Sequence, residues 1–175
     1  MTKKLETDGP ETDGPETQET PLRLLARDPA DIEVLSALLQ DAIIPGADML
    51  FDRESRRFIF IANRFCWERP PVEGVTGEDG DPVFERSLCG VRIEGVQRVL
   101  QTGMPSKRVM ALFNLLAVTS EVQDDGTTKI NLVFSGDAAL RLIVEKIDLA
   151  AEDVEAARPT PVSYTHLTLP TILLV

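Results

Sequence analysis

The chain has 175 residues, of which 43 % are hydrophobic and 27 % charged, and its formal net charge is −11. These proportions are typical of one soluble globular domain, and the acidic balance disfavours DNA, RNA and anionic membrane surfaces as partners. The N-terminus carries no secretory signal pattern and no apolar run reaches the roughly 18 residues that cross a membrane, so we expect a cytoplasmic protein.

The first 20 residues are too polar to join a folded core. They carry two Lys and six acidic residues, and a five-residue unit, Glu-Thr-Asp-Gly-Pro, occurs in them twice. So few apolar side chains cannot offset the entropy lost on ordering the segment. We therefore predict a disordered acidic tail over residues 1–20, with an acidic interaction arm as the alternative, and a single domain over residues 21–161.

The domain begins with a short apolar strand over residues 22–26 and then a helix. Asp28 suits the N-cap and Pro29 the first helical position. Apolar residues recur at helical spacing from Ile32 to Ala42, so we predict one amphipathic helix that ends before Pro45.

Two β-rich runs follow the helix, over residues 48–51 and 56–67, and a polar turn joins them. The second run has apolar side chains on both faces, so its middle is covered on both sides or strongly bent. Pro, Gly and acidic residues then predict a long flexible loop over residues 68–85. Asp79-Gly80-Asp81 suggests a calcium loop, but the required glycine is missing and Pro82 breaks the pattern, so we predict no metal site there.

The second half of the chain alternates in the manner of strands. We predict a strand over residues 88–101 with a bend at Gly95, and a hairpin over residues 129–145. The apolar run at 109–118 is ambiguous between helix and strand, and continuity with the hairpin favours a strand. Residues 149–157 are predicted as a short helix that Pro159 ends.

This order of elements predicts an α+β fold. We expect a curved, mostly antiparallel, half-barrel-like sheet of about six to seven strands, with one N-terminal amphipathic helix and one short C-terminal helix.

The last 14 residues differ from the rest of the chain. Residues 162–175 contain no charged side chain and look like translated sequencing-adapter read-through, a non-native tail. The alternative is a true C-terminal strand, which Pro170 in its interior disfavours. His166 and Tyr164, the only histidine and tyrosine, lie in this tail. We therefore expect the domain to lack histidine-dependent catalysis and histidine metal sites.

Several short motifs of the body occur together: Leu22–Ala26, Asp28–Asp31, Leu38–Ala42, Asn63–Glu68, Arg98–Leu100, Leu115–Ala117 and Leu140–Leu142. In this combination residues 21–158 resemble an uncharacterised proteobacterial family, domain of unknown function 2948, whose N-R-F-x-W-E element is similar to Asn63–Glu68. The resemblance implies a bacterial protein and a strand over 109–118. It brings no known activity, substrate, cofactor or catalytic residue.

The segment Asn63–Glu68 is the richest cluster of chemistry-bearing residues. On a strand Arg64 and Glu68 share one face and Asn63 and Trp67 the other. One interpretation is an anion site with Arg64 as a bidentate donor and with Glu68 and Arg92 beside a cavity. The other, which we favour, is a structural ion pair of Arg64, with Trp67 as a core anchor.

The two cysteines, Cys66 and Cys89, lack the Cys-x-x-Cys spacing of a redox pair. We therefore expect two buried, reduced thiols and no structural zinc.

No phosphate-binding, zinc-protease or nucleophile-elbow motif is present, and we nominate no catalytic residue and no cofactor. We predict a small non-enzymatic module that binds another protein or itself. Candidate contact residues are Asn63, Arg64, Trp67, Glu68 and Arg92. The alternative is a ligand-binding or enzymatic barrel that recognises an acidic metabolite through Arg64.

Overall fold

The computed structural model describes residues 20–155 and 157–161. Residues 1–19 of the predicted acidic tail and the whole predicted read-through tail, with Tyr164 and His166, lie outside the described residues.

In chain order the described elements are β1 (Arg23–Ala26), α1 (Pro29–Leu39), β2 (Ala42–Pro45), a 3-10 turn (Gly46–Asp48), β3 (Met49–Asp52), β4 (Arg57–Phe65), β5 (Val83–Ile93), β6 (Val96–Thr102), a second 3-10 turn (Arg108–Met110), β7 (Leu112–Val122), β8 (Thr128–Phe134), β9 (Ala139–Val144), β10 (Leu149–Asp153) and β11 (Arg158–Pro161).

The described strands form one antiparallel sheet. Its main path runs β1-β10-β5-β4-β2-β7-β8-β9-β6, while β3 pairs with β4 and β11 with β5. Within the described residues β1 and β6 end the path without pairing with each other, so the sheet is open. The predicted antiparallel arrangement is confirmed. The predicted strand number was too low, because several strands are only four residues long.

Helix α1 covers one face of this sheet, and we call that face the core face. The backbone N–H of Asp31 donates to the Asp28 carboxylate at 2.8 Å, which confirms the predicted N-cap. The buried residues Ile32, Leu35 and Leu39 join the core of the strands. The helix ends at Leu39, earlier than predicted, because residues 42–45 pair with β4 and β7 as a strand.

The bend predicted at Gly95 is confirmed. Gly95 has a φ of +69°, a conformation that glycine adopts without strain, and it separates β5 from β6. Strand β6 then pairs with β9, at the far end of the sheet path from β5. The sheet therefore curls back on itself over a connection of two residues.

The predicted C-terminal helix is wrong. Residues 149–153 form β10, which lies between β1 and β5. Burial along it alternates with the period of a strand: Leu149, Ala151 and Asp153 are buried, and Glu152 is exposed. Pairing on both edges overrides the helix propensity of the Ala- and Glu-rich sequence.

The remaining predictions differ from the structure mainly at element boundaries. The ambiguous run at 109–118 is a strand from Leu112 onward, preceded by a 3-10 turn. The predicted loop at 68–85 is shorter than expected, because β5 already begins at Val83, and one isolated bridge joins Thr76 to Pro82.

Candidate functional site

Arg64 lies on the core face near the end of β4, with its side chain fully buried. Its Nε donates to Asp153 Oδ1 at 2.9 Å and its Nη2 to Asp153 Oδ2 at 2.8 Å. Nη1 and Nη2 also donate to the Glu68 carboxylate at 3.0 and 2.7 Å, and Nη1 donates to the Phe65 carbonyl at 3.1 Å. A guanidinium has five N–H donors, and all five bond within the protein.

The two acidic partners of Arg64 differ in exposure. The Asp153 side chain is 2 % exposed and also accepts the backbone N–H of Leu22 at 3.0 Å, whereas the Glu68 side chain is 34 % exposed. Burial lowers the pKa of Arg64, but its bonds to the two carboxylates outweigh burial and raise that pKa. Burial raises the pKa of Glu68, and the bonds from Arg64 outweigh it, so that pKa is lowered. We call Arg64, Glu68 and Asp153 the Arg64 cluster.

The Arg64 cluster joins three parts of the chain that lie far apart in sequence. Arg64 is on β4, Asp153 ends β10, and Glu68 lies just after β4 at the start of the long loop. Because Arg64 has no N–H left for an external anion, this geometry favours the structural ion pair over an anion site. Asp153 could not be identified as a partner from the sequence, because it lies in the segment predicted as a helix.

Trp67 anchors the chain beyond β4. Its indole N–H donates to the Gln40 carbonyl at 2.9 Å, where helix α1 has just ended. Its ring lies 4.7 Å from that of Phe65 and 5.1 Å from that of Phe84, centroid to centroid. Trp67 is half-buried, so one side of the ring packs while part of it stays accessible.

Arg86 is a second buried cation, which the sequence analysis missed. Its guanidinium carbon lies 3.9 Å above the Phe65 ring, and its Nη2 donates to the Asp41 carbonyl at 3.4 Å. Burial lowers the pKa of Arg86 to about 10, and its Nε has no hydrogen-bond partner. Arg86 lies between the loop predicted over 68–85 and the strand predicted over 88–101, and its burial depends on β5 beginning earlier than predicted, at Val83.

The other predicted contact residues are not brought to Arg64. Asn63 pairs in register with Ile43 and Leu88 on the outer face of the sheet, opposite the core face. Arg92 is also on the outer face, where its Nε lies 3.0 Å from Glu94 and where it lines a shallow groove of about 340 Å³ beside β1. Arg64 therefore lies on the core face of the sheet, whereas Asn63 and Arg92 lie on the outer face.

Both cysteine thiols are buried. Burial raises the pKa of Cys66 to about 11 and that of Cys89 to about 12. Both thiols are therefore protonated near neutral pH and are poor nucleophiles.

An opening between β3 and β6 forms a concave surface on the described part of the chain. We call it the edge cleft. It has a volume of about 360 Å³ and is lined by Phe51, Arg53, Arg56, Val96, Gln97, Arg98, Val99 and Leu100. Strand β3 pairs on one side with β4, and β6 pairs on one side with β9; across the described residues no ladder joins β3 to β6.

A backbone hydrogen bond closes one end of the edge cleft. There the backbone N–H of Val96 donates to the Arg56 carbonyl at 2.8 Å. Beyond β6 the chain forms the turn Arg108–Met110, which packs against the turn that precedes β3. There the Gly46 N–H donates to the Ala111 carbonyl at 2.8 Å, and a Cβ at Gly46 would overlap the Arg108 carbonyl.

The walls of the edge cleft combine apolar and cationic groups. Leu100 on β6 is 44 % exposed, and Phe51 on β3 and Val99 on β6 are half-buried. Three of the lining residues are arginines and none is acidic. No local sequence pattern indicates this cleft, because the approach of β3 to β6 depends on the curl of the whole sheet.

Among the described residues no helix is long and apolar enough to cross a membrane, and no group of three His, Cys, Asp or Glu side chains is arranged to hold a metal ion.

Comparison with known proteins identifies one family. The model of the family described as "Protein of unknown function (DUF2948)" matches residues 22–166. This match confirms the resemblance noted from the motifs, and it extends five residues into the segment interpreted above as read-through. No curated protein and no solved structure is significantly similar to the chain.

Proposed function

The chain belongs to the DUF2948 family, and we propose that it is a non-enzymatic protein-interaction module that binds its partner at the edge cleft. The observation that carries this proposal is the presence of two strand edges, on β3 and β6, that face one opening and have no ladder partner within the described residues. An unpaired edge offers a row of backbone donors and acceptors to another chain. Strand addition to such an edge is a common mode of peptide recognition.

The surroundings of the edge cleft are held in place by hydrogen bonds, which supports binding without large rearrangement. Strand β6 is held by β9 along its length, and a backbone hydrogen bond from Val96 to Arg56 fixes one end of the cleft. A preformed surface loses less conformational entropy on binding than a mobile one does. Exposed Leu100 and half-buried Phe51 and Val99 supply apolar area that a partner can bury.

The alternative of an acidic metabolite bound through Arg64 has less support, because all five N–H donors of Arg64 already bond to the protein. We propose that Arg64 and Glu68 stabilise the sheet instead. Contact roles for Asn63, Trp67 and Arg92 stay predictions. We also propose that the protein acts in the cytoplasm, where reducing conditions suit two buried free thiols.

Site-specific photo-cross-linking tests the proposed function. A photoreactive amino acid replaces Leu100 in the full chain, and irradiation follows in an extract of the source cells. The matched control carries the same group in place of Leu116 on β7, which is also 44 % exposed. We expect one discrete protein adduct from position 100 and none from position 116. Equal labelling at both positions, or none at either, would contradict the proposed interface.

A further inference from the structure

We propose, on the basis of the function proposed above, that the partner presents an extended acidic segment, and that this segment adds as a strand to the free edge of β6. Strand β6 is the longer of the two edges, with seven residues against four in β3. A strand of seven residues spans roughly 23 Å. It therefore offers enough backbone for a partner segment of similar length.

The side chains on β6 define what such a segment carries. Val99 is half-buried and packs against the core, while Arg98 and Leu100 are exposed. Side chains alternate between the two faces of a strand, and directly opposed residues on neighbouring strands contact each other. An added strand therefore places apolar side chains beside Val99 and Phe51, and an acidic side chain beside Arg98.

The charges around the edge cleft favour an acidic segment over a basic one. Arg98 forms no ion pair with any described residue, and Arg53 lies 5.9 Å from the Phe51 ring without a carboxylate partner there. Arg56 bonds to Glu145 at 2.8 Å, but both side chains are more than half exposed. An exposed pair of this kind is weak, so Arg56 stays available to a competing carboxylate.

The same charges disfavour a second copy of this chain as the occupant. Two β6 edges placed together in an antiparallel dimer would bring their arginines close to each other, and like charges on neighbouring strands destabilise pairing. Charged side chains on edge strands commonly prevent self-association in this way. A partner strand of opposite charge avoids that repulsion.

The test begins with a displayed library of random nine-residue peptides, selected against the full chain. We expect the enriched peptides to be acidic, to alternate polar and apolar residues, and to lack internal proline, because proline cannot pair within a ladder. The best peptide is then made synthetically with a fluorophore, and its affinity is measured by anisotropy. Enrichment of basic or uncharged peptides would overturn the inference.

Two matched variants locate the site. Arg98→Glu and Arg27→Glu change the net charge equally, but Arg27 is an exposed residue between β1 and α1. We expect Arg98→Glu to weaken binding of the acidic peptide by about fivefold or more, and Arg27→Glu to leave it unchanged within twofold. Equal weakening by both variants would overturn the inference, because it would indicate only a general charge effect.

The remaining outcomes separate this inference from the proposed function. If no peptide is enriched while Leu100 still cross-links to a partner, the strand-addition inference fails and the interaction function stands. If both experiments fail, both proposals fail. If sedimentation shows a dimer of the wild-type chain that Leu100→Glu dissociates, the occupant is a second copy and the acidic-segment inference is overturned.

Discussion

Replacing Arg64 by alanine tests the physical role assigned to the Arg64 cluster. The substitution removes a fully buried guanidinium and leaves the Asp153 carboxylate, which is 2 % exposed, with the backbone N–H of Leu22 as its remaining side-chain bond among those described. Glu68 is affected less, because a third of its side chain already contacts water. The main cost therefore arises from one buried and uncompensated charge.

The expected magnitude follows from that geometry. Removing one partner of a buried ion pair costs about 3–5 kcal/mol of the free energy of unfolding, against a total of about 5–15 kcal/mol for a domain of this size. Glu68→Gln keeps the Arg64–Asp153 pair, so its cost is about 1 kcal/mol or less. The difference between these two variants distinguishes the buried pair from the exposed one.

Urea unfolding provides the assay, followed by far-UV circular dichroism and by the fluorescence of Trp67, the only tryptophan. Arg92→Ala is the control, because Arg92 is exposed on the outer face. A double-mutant cycle of Arg64→Ala with Asp153→Ala is expected to give a coupling of about 2 kcal/mol or more. A loss below about 1 kcal/mol for Arg64→Ala, or an additive cycle, would refute the reasoning.

The pH dependence of stability, the reactivity of the thiols and the tolerance of glycine substitutions each depend on the geometry described above. The folded pKa of Glu68 lies below its ordinary value of 4.5, so its pair with Arg64 stabilises the fold above that pH and loses this effect as the pH falls through the folded pKa. We expect Glu68→Gln to reduce the pH dependence of the free energy of unfolding in this acid range. A pH profile that is the same in the variant and the wild type would contradict this. Both buried thiols have raised pKa values, so we expect slow reaction with a thiol reagent at pH 8 in the native protein and rapid reaction in urea, whereas fast native labelling would show that they are accessible. Gly46→Ala places a methyl group against the Arg108 carbonyl and is expected to cost about 3 kcal/mol of the free energy of unfolding. Gly90→Ala is the control, because its Cβ would meet side chains no closer than 3.6 Å. Equal losses of stability in the two variants would refute the steric argument.

The elements predicted well are those whose signal is local. The N-cap at Asp28, the alternation along β4 and the bend at Gly95 each depend on neighbouring residues, and the structure has all three. Strand β10 was missed because its short Ala- and Glu-rich sequence favours a helix locally, and its strand conformation depends on pairing with β1 and β5. Its partners lie more than 50 residues away in sequence.

The candidate site shows the same division between local and distant effects. Arg64 and Glu68 were predicted to share one face of a strand. They are bonded because β4 ends at Phe65 and the chain turns at residues 66–69, which brings Glu68 back to Arg64. Their third partner, Asp153, required the position of β10. The edge cleft was not predictable, because it lies between two strands that do not pair, and their approach depends on the curl of the entire sheet.

Amide hydrogen exchange along β6 tests the central claim of strand addition to the edge cleft most directly. The exchange rates of residues 96–102 are measured in the full chain with and without the enriched acidic peptide. We predict that peptide binding slows exchange at alternate amides of β6, because a new ladder protects only the N–H groups that point toward the cleft. Unchanged exchange in β6, with protection appearing instead around Trp67 or Arg92, would contradict the account.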